Sequence, residues 1–451
     1  TSESISASTS SVETDKDGMY KIKITVVDNA GNTDTWSDTI YIDREAPTIK
    51  TVTFTGTGNK EGNEIKGSGK YGFYFRGSAT CGIGVYDGIV SSGMHKLYVE
   101  LKPSKGKVTK KTLSITDGDT KFNIPENFKG FVSMYATDRV GNKSTDVNPD
   151  GIITESTKYF KNSTSINIKL PETKYRDSAG TRLYSSNIKA EAIIGSTFSG
   201  IKEIEWGIGE DTLGLVKVNN NGKVSGSIKE VISKDNNLVL NLSKTLSLTG
   251  NANGLRVWVK VVDRTGNSSM STKTFSIDKD KPVISLKYNK TNNNNYYNSN
   301  RVATITVKER NFNPSKFKVT GSTSLGQWVH KENEWVNTIT FSKDGDYQFD
   351  LQCTDRAGNV AHSYKSNKFT IDKTKPTISV SWGGSTAKNG NYYNSARTAT
   401  VTVKEHNFDA SAIKLSGSGS LSSWSSNGDI HTAKVNFGSN GTYNFSISGS
   451  D

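Results

Sequence analysis

Hydrophobic and polar residues alternate with a period of two along much of the chain. Ala303, Ile305 and Val307, for example, alternate with Thr304 and Thr306. Successive side chains of a β-strand point to opposite faces, so this pattern predicts strands with one buried face. Helical spacing is not sustained anywhere, and we expect almost no helix. Inward-facing sets of the same kind are predicted at Tyr20, Ile22, Ile24, Val26; Val132, Met134, Ala136; Leu255, Val257, Val259, Val261; Ile339, Phe341; Tyr347, Phe349, Leu351, Cys353; and Ala399, Val401, Val403, Val435, Phe437.

The chain contains a long internal repeat. The tract YYNSNRVATITVKERNFNPS begins at Tyr296, and YYNSARTATVTVKEHNFDAS begins at Tyr392. The same offset aligns Trp328 with Trp424 and continues to the last residue, Asp451. A repeat of this length predicts successive copies of one folded module.

A second, shorter signature, D-x-x-G-N, occurs in four places, which begin at Asp28, Asp138, Asp263 and Asp355. The Asp side chain can accept from backbone N–H groups of the turn while Gly takes a positive φ, which closes a hairpin. Calcium is the functional alternative, but each turn offers one Asp where a calcium loop needs several. We therefore predict a structural turn, with no metal site and no cofactor.

A third signature, I-D-x-x-x-P, marks joints at residues 42–47, 277–282 and 371–376, and a further joint is placed near Glu155. X-Pro bonds favour extended connections, so we expect a semi-rigid rod. The first and last domains are incomplete, and the chain is expected to be part of a longer array. The predicted domains are 1–43 (C-terminal strands only), 44–155, 156–278 (enlarged), 279–372 and 373–451 (lacking its last strand).

Short alternating strands with frequent turn signals predict an all-β chain of tandem β-sandwiches. D-x-A-G-N followed by a strand and I-D-x-x-x-P-x-I resembles the bacterial immunoglobulin-like domains strung in tandem on surface proteins of Gram-positive bacteria. Ser92-Gly93-Met94 and Ser199-Gly200-Ile201 are similar to the S-G-I element of such domains. The resemblance covers essentially the whole chain and implies a tandem array of immunoglobulin-like domains. Because these domains serve as spacers, adhesins and accessory parts of enzymes, it specifies the fold more than the function.

Composition disfavours several classes of function. The net charge of the 451 residues is +13, but it is spread over the predicted domains, which does not favour nucleic-acid binding. Cys81 and Cys353 fall in different predicted domains, and the five histidines are scattered. Neither a catalytic group nor an apolar run long enough for a membrane span stands out. We expect a non-enzymatic protein without a membrane span.

Features confined to one domain are the better candidates for specific contacts. The segment from Cys81 to Val90 resembles an inserted Gly-rich loop, which suits a binding tip, and the enlarged third domain carries a Tyr- and Arg-rich segment. Tyr, Trp and Arg dominate interface hot spots. The alternative is an ordinary surface loop. The protein-binding candidates are Tyr175, Arg176, Arg182, Tyr184, Tyr86, Ile89 and Trp335.

The predicted function is therefore a bacterial cell-surface binding protein that presents protein-binding loops or exposed edge strands on its tandem domains. It is expected to act outside the cell and to be anchored to the wall through regions beyond this chain. Its partner is expected to be a host protein. The resemblance suggests host immunoglobulin, since similar tandem proteins of gut commensals include immunoglobulin-binding, superantigen-like proteins. The alternatives are a spacer of a larger surface enzyme and an adhesin for host glycans or mucin, for which the candidate aromatic residues are Tyr296, Tyr297, Tyr392 and Tyr393.

Overall fold

The computed structural model describes most of the chain. The described residues are 16–56, 71–195, 197–219, 224–226, 231–234, 237–247, 249–289, 294–321, 324–332 and 334–450. They are about 56% strand and 4% helix. This confirms the all-β prediction and the near absence of helix.

The strands fall into two compact units by their contacts. Unit I extends to Lys174 and continues over Ser186–Ile277, and unit II comprises Tyr175–Ser185 and the chain from Asp278 onwards. The five predicted domain boundaries are finer than this division and remain predictions.

Unit I contains strands β1 to β11 and β13 to β20, with two short helices, α1 (Thr157–Ser163) and α2 (Ser243–Ser247). The strands are β1 (Gly18–Val27), β2 (Thr33–Ile42), β3 (Thr48–Gly56), β4 (Tyr71–Arg76), β5 (Ala79–Tyr86), β6 (Met94–Pro103), β7 (Thr109–Ser114), β8 (Gly118–Ile124), β9 (Lys129–Asp138), β10 (Gly151–Glu155), β11 (Ile166–Lys169), β13 (Glu191–Ile194), β14 (Ile201–Ile208), β15 (Asp211–Val218), β16 (Val224–Gly226), β17 (Val231–Lys234), β18 (Asn237–Asn241), β19 (Ala252–Asp263) and β20 (Ser268–Ile277).

Unit II contains β12 and the remaining strands, with two 3₁₀ turns at Pro314–Lys316 and Ala410–Ala412. The strands are β12 (Leu183–Tyr184), β21 (Val283–Tyr288), β22 (Tyr296–Tyr297), β23 (Arg301–Lys308), β24 (Phe317–Thr320), β25 (Val329–Lys331), β26 (Glu334–Phe341), β27 (Gly345–Tyr347), β28 (Asp350–Cys353), β29 (Tyr364–Lys365), β30 (Phe369–Ile371), β31 (Thr377–Gly384), β32 (Arg397–Lys404), β33 (Lys414–Gly417), β34 (Ser425–Asn427), β35 (Ile430–Phe437) and β36 (Phe445–Ser448).

The first sandwich of unit I places the sheet β3-β5-β8 against the sheet β4-β10-β9-β6-β7. Buried residues of β5, such as Ile83, share one core with Leu97 of β6 and Met134 of β9. The second part of unit I has the sheets β11-β13-β18-β17 and β20-β19-β14-β15-β16, and both contribute buried residues, including Ala192 and Trp206. The alternating pattern therefore corresponds to buried strand faces.

Unit II contains two further cores. The first joins Ile305 of β23 to Cys353 of β28 and Phe369 of β30, across the sheets β21-β23-β26-β25, β24-β28-β29 and β22-β30-β27. The second packs Val401 of β32 and Val435 of β35, in the sheet β31-β32-β35-β34, against the pair β33-β36. The described chain thus consists of β-sandwiches that follow one another along the sequence.

The hairpin β1-β2 differs from the prediction for its strand. Ile22, Ile24 and Val26 were predicted to face inward, but they are 39%, 52% and 59% exposed. The hairpin pairs only with itself among the described strands. Alternation marks one face of a strand, and that face is buried only where a second sheet covers it.

The segment from Cys81 to Val90 was wrongly predicted to be an inserted loop. Residues 81–86 belong to β5, where Cys81, Ile83 and Val85 are buried. Gly82 and Gly84 alternate with these residues on the opposite face, beside Thr53 and Thr51 of β3. The glycines therefore sit within a paired strand, and the loop is only the short stretch from Asp87 onwards.

Candidate functional site

The D-x-x-G-N turns have the predicted hydrogen bonds. Asp28 Oδ1 accepts from the backbone N–H of Ala30 (2.9 Å) and of Asn32 (2.8 Å), and Gly31 has a φ of +87°. Asn32 Nδ2 also donates to Asp28 Oδ2 at 2.9 Å. The turns at Asp138, Asp263 and Asp355 have a glycine of positive φ at the fourth position and the same bond from the fifth-residue N–H to the carboxylate.

The Asn of each buried turn has a second role that the motif alone did not reveal. Asn142 Nδ2 donates to the carbonyl oxygens of Asp43 (3.0 Å) and Glu45 (3.1 Å), which lie in the first joint. Asn359 Nδ2 donates to the Asp278 carbonyl oxygen at 2.9 Å, in the same way. The turn signature and the joint signature are therefore two halves of one contact.

This contact brings acidic side chains together at the first joint. Asp43 of the joint, Asp138 of the turn and Asp87 at the end of β5 each place a carboxylate oxygen within 4.8 Å of the others. We call these three residues the Asp87 cluster. Asp43 is 8% exposed, Asp138 is 1% exposed and Asp87 is fully buried.

A second group of the same kind lies in unit II. It consists of Asp278, Glu309 and Asp355, and we call it the Glu309 cluster. Asn311 Nδ2 donates to Asp278 Oδ2 at 2.6 Å, and the Asn311 N–H donates to Glu309 Oε1 at 2.6 Å. The Glu-x-Asn of the repeated tract thus supplies one acid and one amide to this joint.

At the joint near Glu155, the described residues place two acids together, Glu155 and Asp263, instead of three. Glu155 is fully buried, and its Oε2 accepts from the Ser199 N–H at 3.0 Å. Asn267 Nδ2 donates to the Glu155 carbonyl oxygen at 3.1 Å, and Thr265 Oγ1 donates to Asp263. The Ser-Gly element therefore holds the joint carboxylate, as it does at Asp43, which accepts from the Ser92 N–H at 2.7 Å.

Burial and like charge perturb the acids of these joints. Burial, and then the charges of Asp43 and Asp138, raise the pKa of Asp87 to about 6, against a weaker opposing effect of the Gly93 amide. Burial also raises the pKa of Glu309, with the charges of Asp278 and Asp355 adding to it, and raises the pKa of Glu155. At Asp43 burial acts upward, but hydrogen bonds from Ser92 and Glu45 prevail and lower the pKa.

Two of the predicted protein-binding residues line a surface groove in unit I. Ile89 is 95% exposed, and Tyr86 is half-buried, with Lys50 Nζ 3.7 Å from its ring centroid. They border a groove of about 700 Å³ together with Val90. Its other lining residues are Lys16, Asp17, Arg44, Glu45 and Gly88.

The Tyr- and Arg-rich segment of the third predicted domain is a hairpin that belongs to unit II. Asp177 Oδ1 accepts from the N–H groups of Ala179 and Thr181, both at 2.9 Å, which forms another Asp turn. Tyr175 packs so closely on Gly358 that a Cβ there would lie 2.7 Å from its ring. Tyr184 is 7% exposed, so it is not available for the surface contact that was predicted for it. Arg176 is exposed and Arg182 is half-buried.

Trp335 lies at the edge of a core instead of on an open surface. Its ring stacks on His330, with centroids 4.4 Å apart, and lies 5.2 Å from Phe312. It is half-buried, so most of its contact area is already used within unit II.

The four glycan candidates do not form equivalent platforms. Tyr297 is 6% exposed and packs on Phe369, so it was wrongly predicted as a glycan contact. Tyr296 is 51% exposed, and it lines a groove of about 440 Å³ with Asp346, Gln348 and Lys368 among others. Tyr392 and Tyr393 are 79% and 39% exposed.

The carboxylate clusters were missed because their members are far apart in sequence. The joint Asp and the turn Asp were both recognised as motif residues, but the motifs were assigned to separate structural roles. The strand-end acids Asp87 and Glu309 belong to neither motif. Both cysteines are buried free thiols, and burial raises the pKa of each to about 12.

Comparisons with known proteins show no matching family model and no matching curated protein. Among solved structures, the chain is similar to the tetra-tandem repeat in the extending region of a large adhesion protein, with 15% identity, 79% of this chain and 82% of that chain covered, and a TM-score of 0.31. It is also similar to an ICAM-5 D1–D4 ectodomain fragment, with 11% identity, coverage of 84% and 95%, and a TM-score of 0.34. These low similarities carry no inference about function. No helix among the described residues is long and apolar enough to span a membrane.

Proposed function

We propose that this protein is a non-enzymatic, extracellular binding protein of a bacterial surface, in which tandem sandwiches present loops to a host protein. The observation that carries the proposal is the exposure of Ile89, at 95%, on a short loop beside the groove that Tyr86 and Val90 also line. Ile89, Val90 and the ring of Tyr86 lie together with charged residues at their rim, and an apolar patch with a polar rim is a feature of protein-binding surfaces.

The buried acids do not favour an enzyme. Glu309 and the members of the Asp87 cluster lie below the surface, where a substrate would not reach them. The raised pKa values of Asp87 and Glu309 follow from burial and from the charges of the neighbouring acids in the joints. We therefore place the function in surface contacts.

The partner class that we propose is a host protein, and host immunoglobulin is the first one to test. This finer assignment comes from the resemblance of the repeats alone, and the geometry of the groove adds nothing to it. Wall anchoring through segments beyond this chain is part of the same proposal.

The test is surface plasmon resonance of the whole chain against polyclonal human immunoglobulin at about 0.15 and about 0.5 M salt. Ile89→Asp is expected to weaken binding at least about tenfold, since it places a charge in the apolar contact. Val108→Asp is the matched control, because Val108 is 48% exposed in the same predicted domain but outside the groove. Binding that is absent, lost in salt or equally weakened by both variants would contradict the proposal.

A glycan adhesin is the second candidate, favoured by the groove at Tyr296. An exposed Tyr flanked by Asp346, Gln348 and Lys368 combines a stacking face with polar groups that suit sugar hydroxyls. Saturable binding of mucin glycans that Tyr296→Ala abolishes and Ile89→Asp leaves intact would favour this candidate.

A further inference from the structure

Asp87 is buried in a way that its protein contacts do not explain. It is 0% exposed, and neither carboxylate oxygen accepts a hydrogen bond of normal geometry from a described residue. Its backbone N–H is satisfied by Asp117 Oδ1 at 3.0 Å, so the main chain is held while the carboxylate is not. A buried carboxylate without a partner is costly, and each one in a native protein calls for an explanation by a bound proton, water or ion.

An unpartnered oxygen of Asp87 lies close to the carboxylates of two other acids. One carboxylate oxygen from each of Asp43, Asp87 and Asp138 lies within 4.8 Å of the other two, although the residues come from a joint, a strand end and a hairpin turn. No Lys or Arg among the described residues forms an ion pair with any of the three. Three like charges this close, in a site of low dielectric, repel one another strongly unless a proton or a cation lies among them.

The backbone already fixes the geometry of such a site. The Asp138 carboxylate is held by the N–H groups of Gly141 (2.6 Å) and Asn142 (2.8 Å), and the Asp43 carboxylate by the Ser92 N–H (2.7 Å). Asn142 also bonds the joint carbonyls, which holds the turn against the joint. Backbone N–H groups thus hold the carboxylates of Asp138 and Asp43, whereas no such group of the described chain holds the carboxylate of Asp87.

The donor set selects the kind of ion. Only oxygen ligands are present in the cluster, without His or Cys, which disfavours zinc and other soft metals. Calcium accepts irregular arrangements of carboxylate and carbonyl oxygens at about 2.3–2.6 Å, whereas magnesium demands near-ideal octahedral geometry and retains several waters. Three carboxylates from a joint, a strand end and a turn form an irregular donor set, which suits calcium better than magnesium.

We propose that Asp43, Asp87 and Asp138 bind one calcium ion, which replaces the missing partners of Asp87 and holds the first joint against its turn. The proposal goes beyond the proposed function, and its test needs no binding partner, so either can fail without the other.

The Glu309 cluster supplies an internal comparison. There, each of Asp278, Glu309 and Asp355 already accepts at least one hydrogen bond from a side-chain or backbone amide. Within the two clusters, only the Asp87 carboxylate has no hydrogen-bond partner among the described residues. We therefore confine the proposal to the Asp87 cluster.

The experiment is isothermal titration of calcium into the metal-free whole chain at about pH 7.5, for the native protein, Asp87→Asn and Asp119→Asn. Asp119→Asn is the matched control, because Asp119 is an exposed aspartate of the same sandwich outside the cluster. We expect Asp87→Asn to bind one equivalent fewer than the native chain and Asp119→Asn to bind the same number. The result is the difference in calcium stoichiometry between the variants and the native chain. Calcium ions bound at other sites therefore cancel from the comparison.

Thermal unfolding gives a second, independent readout. Extracellular calcium modules bind with dissociation constants of about 10⁻⁴–10⁻³ M, so about 5 mM calcium should raise the midpoint of the affected transition by about 5–10 °C. Magnesium at the same concentration should raise it much less. In Asp87→Asn the calcium-dependent rise should disappear, while the metal-free midpoint stays equal or increases because a buried charge has been removed.

Hydrogen exchange of the native chain keeps the proposal testable if a variant fails to fold. Calcium should slow amide exchange in residues 86–93 and 138–145. Equal stoichiometry in native chain and Asp87→Asn, no calcium effect on exchange in these segments, or equal stabilisation by magnesium would each overturn the proposal.

Discussion

At the scale of single residues, the role of an Asn in these turns depends on the contacts that it makes outside its own turn. Asn32 and Asn142 occupy the same position of the same motif, and both bond the Asp that opens it. Of the two, only Asn142 also donates to the backbone of a joint, at the Asp43 carbonyl oxygen. The motif therefore has one local role everywhere and a second role where a joint packs on it.

Asn142→Ala should destabilise the joint that it holds. The change removes two hydrogen bonds to joint carbonyls, at about 1 kcal/mol net for each, and amide exchange of residues 43–46 should accelerate by about 10- to 100-fold. Hydrogen exchange with mass spectrometry measures this directly. Asn32→Ala is the control and should leave the exchange of this segment unchanged; equal acceleration in both variants would assign the effect to the turn itself.

The two thiols should be inert in the folded protein. Cys81 and Cys353 are buried, and burial raises the pKa of each to about 12 from an ordinary value near 9. At about pH 8 the thiolate fraction then falls roughly a thousandfold, so alkylation should be at least that much slower than in the unfolded chain. Native-state labelling at the rate of a free cysteine would contradict the buried assignment.

At the scale of elements, strands of equal alternation have unequal surroundings. β5 is paired on both sides, by β3 and β8, and its alternate residues enter a core. β1 is paired only with β2 among the described strands, and its apolar face is largely exposed. The same pattern of side chains thus contributes very different amounts of buried area.

Ile83→Ala and Ile24→Ala form a matched pair that tests this difference. Ile83 is 1% exposed, and Ile24 is 52% exposed. The first substitution should reduce the free energy of unfolding of its sandwich by about 2–5 kcal/mol through lost transfer energy and a cavity, and the second by less than about 1 kcal/mol. Denaturant melts that resolve the transition of each sandwich would measure both, and similar losses would argue that β1 is covered in solution.

At the scale of the whole molecule, the joints concentrate acidic groups whose charged forms the fold disfavours. Burial raises the pKa of Asp87, Glu155 and Glu309 above the values of an unfolded chain. The folded state therefore binds these protons more tightly than the unfolded state does. The stabilisation that comes from protonating these three carboxyls is complete below their pKa values in the unfolded chain. It is lost as the pH rises through their pKa values in the folded chain.

Without divalent ions, the chain should therefore become less stable as the pH rises from about 4 to about 8, with Asp87 titrating near 6. Calorimetry in a chelating buffer at several pH values measures the midpoints, which should fall across this interval. Glu309→Gln should flatten the dependence of the unit II transition, whereas Asp119→Asn should not alter the curve. A midpoint that rises over the interval would contradict the assignment of these raised pKa values.

Much of the fold follows from sequence because its causes are local. Alternation in β9, β23 and β32 predicts strands with one buried face, since side chains of a strand point alternately to its two sides. The Asp turns follow as well, because an Asp carboxylate and a Gly of positive φ close the turn within five residues. The interior position of Cys353 was also predicted, from its alternation with Tyr347, Phe349 and Leu351 along one strand.

Tertiary structure alone decided which of these local features meet. Whether Ile24 or Ile83 is buried depends on a second sheet, and whether Tyr184 is exposed depends on what its hairpin packs against. The Asp87 cluster joins residues 43, 87 and 138, whose spacing has no period that a sequence pattern could reveal. Local geometry is set by neighbours along the chain, but burial and the charge of a site are set by neighbours in space.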